Sequence, residues 1–158
     1  MDNNDIWFIL LKISNDKKIK LLRKYNNEEN IRKNYGIIKE FKKINLEEIT
    51  EEKIKLFKEY ITTNNIRYIT ISSKEYPEKL KHLEEPPYVI FYKGNLELLS
   101  GNLIAVIGAR KCSSYGAKLA SIISKESSEN NFTVWGWLAA GIDSSAQKIA
   151  INIKEKTI

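Results

Sequence analysis

The sequence predicts an α/β fold, a partial parallel sheet preceded by a small all-helical module. Three observations carry this. Across residues 1–64, apolar residues recur at helical spacing behind polar capping residues. From Leu103 onward, short β-type runs alternate with helical patterns, the order strand, helix, strand, helix that builds a parallel sheet. Where the first of those strands meets its helix, Ile104-Ala105-Val106-Ile107-Gly108-Ala109-Arg110 leads into Ser113-Ser114-Tyr115-Gly116. An apolar run thus meets a glycine, an arginine and a hydroxyl-rich turn, the arrangement of an anion-binding strand–turn–helix.

The elements follow in order. Asp5–Ile13 is apolar behind a polar lead. Asp16 is positioned to cap a helix running to about Tyr25, with Ile19, Leu22 and Tyr25 on one face. Asn27-Glu28-Glu29-Asn30 opens a third helix that ends near Gly36 as its C-cap. Thr50 caps a fourth through about Thr62, where Ile54, Phe57 and Ile61 hold helical spacing and Leu56 and Tyr60 widen the face. Arg67–Ser72 reads as a strand, Tyr76-Pro77 opens a helical turn, and Pro86-Pro87 ends it. Tyr88–Tyr92 is a second strand, stopped by Gly94. Leu103–Ile107 is the next, and Ser114 caps a helix to Glu129 with Leu119, Ile122 and Ile123 facing inward. Phe132–Trp137 is the following strand, expected beside Leu103–Ile107 and parallel to it. Asp143 or Ser144 then caps a last helix with Ala146, Ile149, Ala150 and Ile153 on one face.

Composition excludes several classes. No stretch of the 158 residues approaches the ~20 apolar residues of a membrane span, and Trp7-Phe8-Ile9-Leu10-Leu11 lacks the flanks of a secretory signal. A cytoplasmic protein without membrane association is expected. The formal charge of +6 permits a nucleic-acid partner without demanding one, because it is spread as +3 over residues 1–100 and +3 over 101–158. Cys112 is the only cysteine, so no internal disulfide can form, and His82 is the only histidine. A histidine triad or a His/Cys metal cluster therefore has too few members. No catalytic residues, metal or cofactor are expected.

The Gly108 turn itself is not a dinucleotide fingerprint, since Arg110 and Ser113 stand where the second and third glycines belong. Nor is it a Walker loop, which needs Gly-Lys-Ser or Gly-Lys-Thr. It is a helix start with unpaired N–H groups beside a guanidinium, suited to a phosphate.

Taken together, Tyr76-Pro77 with Leu80, Pro86-Pro87, Phe91-Tyr92-Lys93-Gly94, Val106-Ile107-Gly108-Ala109-Arg110, Ser113, Tyr115-Gly116 and Gly141-Ile142-Asp143 resemble the DprA/Smf family of DNA-processing proteins. The resemblance covers residues 66–158 and implies an incomplete Rossmann-like domain there, behind a helical module (1–64) like that family's sterile-alpha-motif-like one. It implies binding of single-stranded DNA, homodimerisation of the full-length family, and transfer of the strand to a RecA-type recombinase during natural transformation. It places Gly108, Arg110, Ser113, Tyr115 and Gly116 in the phosphate pocket, with Lys111 the adjacent cation and Asp143 and Lys148 on the opposite wall. Three of them have a plainer reading: Tyr115 as a core or hinge aromatic, Asp143 as a helix cap, Lys148 as a solvated side chain.

The chain also departs from the family pattern. Gly136-Trp137 stands where the family has Ser-Gly, and Gln147 where it has histidine, so an indole occupies a place kept open for backbone approach and is expected to narrow the pocket. The chain ends at Lys156-Thr157-Ile158, where the third Rossmann-like strand would begin, as in a truncated or partial member. Two rival readings stand beside DNA binding: a Rossmann-like sensor of small nucleotides, and a remnant without function. A nucleotide hydrolase is disfavoured, because no paired carboxylates accompany the turn.

Overall fold

Polar caps and apolar spacing set where the helices begin and which sides they bury. The computed structural model describes residues 2–41, 49–152 and 157, in two compact units, Met1–Gly94 and Asn95–Ile158.

The first unit holds α1 (Asn3–Leu10), α2 (Asn15–Tyr25), α3 (Glu28–Lys33), 3-10 turns at Tyr35–Ile37 and Lys39–Phe41, and α4 (Glu51–Thr63). It continues with β1 (Arg67–Thr70), the short α5 (Glu78–Lys81) and β2 (Val89–Tyr92). Asn27 Oδ1 accepts the Asn30 N–H at 2.8 Å to start α3, and Thr50 Oγ1 accepts the Lys53 N–H at 3.2 Å to start α4. Ser14, not Asp16, caps α2, and Asp16 pairs with Lys20 one turn on at 2.7 Å. Asn34 rather than Gly36 closes α3, since a 3-10 turn follows it directly. Leu56 and Tyr60 stand exposed, because α4 turns only its Ile54 and Ile61 side inward.

β1 and β2 pair antiparallel, Arg67 opposite Tyr92 and Thr70 opposite Val89. Tyr88, fully buried, joins Ile6, Phe8, Ile31 and Ile54 in one core, so this strand pair packs with the helices. Its hydroxyl donates to the buried Glu28 carboxylate at 2.8 Å. Lys18 is buried there too, donating to the Ile9 carbonyl at 2.9 Å, and burial lowers its pKa to about 8.

The second unit runs through a 3-10 turn (Leu96–Ser100), β3 (Asn102–Ala105), α6 (Ser114–Glu129), β4 (Phe132–Trp135) and α7 (Ile142–Asn152). β3 and β4 are parallel neighbours, Asn102 opposite Phe132 and Ala105 opposite Trp135, with α6 as the crossover between them. The expected pairing is present, with each strand ending two residues earlier than its apolar run. Val106 still donates its N–H to the Trp135 carbonyl at 3.1 Å. Thr157 bridges Val134 in parallel, its hydroxyl donating to the Val134 carbonyl at 2.9 Å.

The inward face of α6 differs from the expected one. Leu119, Ile122 and Ile123 are exposed, whereas Ala120, Ser124 and Ser128 are buried at four-residue spacing. The reason is the tight fit of α6 on α7. Small side chains let the two backbones approach, Ala120 packing in one cluster with Ala146 and Ala150. The Ser124 hydroxyl, fully buried, is satisfied by donating to the Ala146 carbonyl at 2.6 Å. Ile153, expected on the same face of α7, lies outside the described residues.

Candidate functional site

Two loops leave the C-terminal ends of the parallel strands, residues 106–113 after β3 and 136–141 after β4. They are fitted to one another through backbone. Gly141 has φ +91°, and a Cβ there would run into the carbonyls of Ala109 and Arg110. Only glycine meets both demands. The Ile142 N–H donates to the Ala109 carbonyl at 3.3 Å, which ties the start of α7 to the first loop. Gly108 is equally close from the other side, since a Cβ on it would lie 2.7 Å from Ile142 Cγ1. At the strand ends, Gln147 Nε2 donates to the Gly136 carbonyl at 3.3 Å.

Asp143 is part of this fastening. It lies inside α7 rather than at its cap, is 2 % exposed, and its Oδ1 accepts the Gly108 N–H at 3.2 Å. Its carboxylate therefore holds the first loop from within. The turn at Gly141 is satisfied instead by Ser144 and Ser145, whose hydroxyls donate to the Gly141 carbonyl at 3.1 and 2.8 Å.

The other expected site residues divide into two groups. Arg110, Lys111, Ser113 and Tyr115 are exposed along one short stretch, with Gly116 half-buried behind them. Ser113, not Ser114, caps α6: its Oγ accepts the Gly116 N–H at 3.1 Å. The amides of Ser114 and Tyr115, in the first turn, have no intrahelical acceptor. Lys148 is set apart from this group. It is exposed on α7, about 9 Å along the axis from Ile142 and ~140° around the helix from Asp143.

Among the described residues, Arg110, Lys111 and Lys148 take part in no ion pair. Glu126 and Glu129 sit at the far end of α6, about 18 Å or more from its start. The loop edge of the unit is thus left positive, reinforced by the α6 dipole. The first unit offers a different surface. Its cavity of about 320 Å³, lined by Asp2, Asp5, Arg67, Tyr68 and Tyr92, carries two carboxylates. Burial raises the pKa of Asp5 there.

Gly141 and Ile142 were visible in the sequence only as part of a motif. Their role is a long-range fit to Gly108–Arg110, which no local pattern reveals. Gln147 shows in the sequence only as a departure from the family's histidine, and its bond to the Gly136 carbonyl leaves no local pattern.

A parallel strand pair with a basic, backbone-fastened loop ahead of a helix defines an α/β unit with cations exposed along its loop edge. Residues 67–158 match the family DNA recombination-mediator protein A, and the chain belongs to that family. The DNA processing protein DprA of Bacillus subtilis is 38% identical over 94 residues, which are 59% of this chain and 32% of that protein. DprA of Streptococcus pneumoniae is 40% identical over 83 residues, 52% of this chain and 29% of that protein. Protein Smf of Borreliella burgdorferi is 34% identical over 104 residues, 66% of this chain and 33% of that one. The chain spans about a third of the length of these curated relatives.

Among solved structures, S. pneumoniae DprA superposes over 99% of this chain and 56% of its own, with TM-score 0.71 and 24% identity, a likeness of fold. DNA processing protein A of Helicobacter pylori, whose structure describes a single-stranded DNA binding mode, matches 58% of this chain and 40% of its own at TM-score 0.50 and 26% identity.

Proposed function

We propose that the chain is a single-stranded DNA-binding protein of the DNA-processing type, acting by binding rather than catalysis. The phosphate-holding group is the Gly108–Gly116 stretch. Arg110 and Lys111 supply charge, and the first-turn amides of α6 supply donors. Asp143 positions Gly108 from beneath, and Lys148 adds a more distant phosphate contact along α7. In this reading the second unit is half of a Rossmann-like sheet, the first unit carries the sterile-alpha-motif-like helices, and the bound strand is held during DNA uptake for a RecA-type recombinase.

The observation that carries the proposal is the exposed Arg110–Lys111 pair, in no ion pair among the described residues, on a loop fastened by Asp143 and Gly141. A loop held this way carries its cations on backbone that binding does not have to order. Family membership over residues 67–158 supports the same ligand class, since the H. pylori relative's described ligand is single-stranded DNA.

Fluorescence anisotropy with a labelled 20-nucleotide single strand tests it. Affinity should fall steeply as salt rises, and Arg110→Ala should cost about 1.5–3 kcal/mol, the range for a charge-assisted hydrogen bond. Competing mononucleotides should leave the oligonucleotide bound. Salt-independent binding, or displacement by mononucleotides at matched nucleotide concentration, would point to a small-nucleotide site instead.

A further inference from the structure

Trp137 is the largest exposed side chain of the loop pair. The residue is 73% exposed, unusual for a type that normally hides most of its area. It is also held. Its ring meets Trp135 edge to face, with centroids 5.3 Å apart and planes at 64°. Trp135 ends β4, half-buried, with its carbonyl bonded to the Val106 N–H, so the indole rests on a strand rather than on loose chain.

The backbone on either side is fixed as well. Gly136 before it is anchored by Gln147, and Leu138 after it adopts φ +52°, a left-handed conformation rare outside glycine. Three residues further on, Gly141 lies against Ala109 and Arg110. The loop carrying the indole and the loop carrying the guanidinium are therefore one interlocked edge.

From this we infer that Trp137 is a nucleobase-stacking platform, adding recognition of an unstacked base to the phosphate contacts of Arg110. The inference rests on the proposed single-strand binding. A single strand alternates phosphates with exposed π-faces, and an indole and a cation carried on two loops joined through their backbones match that alternation. A duplex buries its π-faces and offers the platform nothing. The family-pattern glycine at this position has no side chain to stack, so the contact belongs to this chain and its indole.

The test compares two labelled strands of equal length and charge, a 20-mer of thymidine and a 20-mer of abasic residues, each titrated into the full chain. Trp137→Ala should weaken thymidine-strand binding roughly 5- to 150-fold and leave abasic-strand binding unchanged. Trp137→Phe, which keeps a ring, should recover most of the affinity. Thymidine strand should quench indole fluorescence in the parent and not in Trp137→Ala. Equal loss on both strands would make the indole a structural residue and overturn the inference, while leaving single-strand binding standing. Unchanged binding with reduced self-association in Trp137→Ala would reassign the indole to a protein contact and overturn it in the same way. Failure of the parent to bind either strand would remove the underlying reading together with this one.

Discussion

In the first unit Phe8 meets Tyr88 edge to face at 5.0 Å and Trp7 meets Phe41 at 6.0 Å, rings filling the space between helices. In the second, the buried cluster among the described residues is Val106, Val134 and three alanines, Ala120, Ala146 and Ala150. One unit is held by large side chains removed from water, the other by close approach of backbones. The consequence lies at the loops. Where side chains are small, helix and loop positions are set by carbonyls, amides and glycines, and Gly108, Ala109, Gly141 and Ile142 are set in that way. The second unit gives up apolar burial and gains a rigid polar edge.

The contrast is sharpest where one side chain carries much of a core. Phe8→Ala empties a fully buried ring site, and should cost the first unit about 3–5 kcal/mol in urea unfolding followed by far-UV circular dichroism. A loss below about 1 kcal/mol would mean that ring packing is not what holds that unit.

The equivalent lesion in the second unit is a single methyl group. Gly141→Ala places a Cβ against the Ala109 and Arg110 carbonyls at φ +91°, and should cost about 1–3 kcal/mol while weakening oligonucleotide binding. Parent-like melting together with parent-like affinity would show that the loops are not fastened through Gly141.

Much of this contrast was legible in the chain. The strand–helix–strand–helix order after residue 102, the parallel pairing and the position of the Arg110 loop follow from apolar runs, Gly108 and the hydroxyl-rich turn. The face of α6 does not follow, because apolar size points to burial and here it misleads. Leu119, Ile122 and Ile123 are larger than Ala120, Ser124 and Ser128, yet only the smaller set admits α7. Asp143 departs from the cap role for a related reason: an acidic residue at a helix start has a local use, and its actual partner, Gly108, is 35 residues away.

The α6 face gives the smallest predicted effect. Leu119→Lys, on the exposed side, should change stability by no more than about 0.5 kcal/mol, while Ala120→Leu overpacks the α7 contact and should cost about 1–3 kcal/mol. The reverse order in thermal melts would restore the larger residues as the buried face.

The central claim is that the second unit's loop edge, and not the aromatic-cored first unit, holds the nucleic acid. Amide hydrogen exchange of the full chain, with and without a saturating 20-nucleotide single strand, tests this directly. Protection should appear over residues 108–116 and 136–142 and leave residues 3–25 and 67–92 unchanged. Protection confined to residues 3–92, with the Gly108–Gly116 loop exchanging as before, would contradict it.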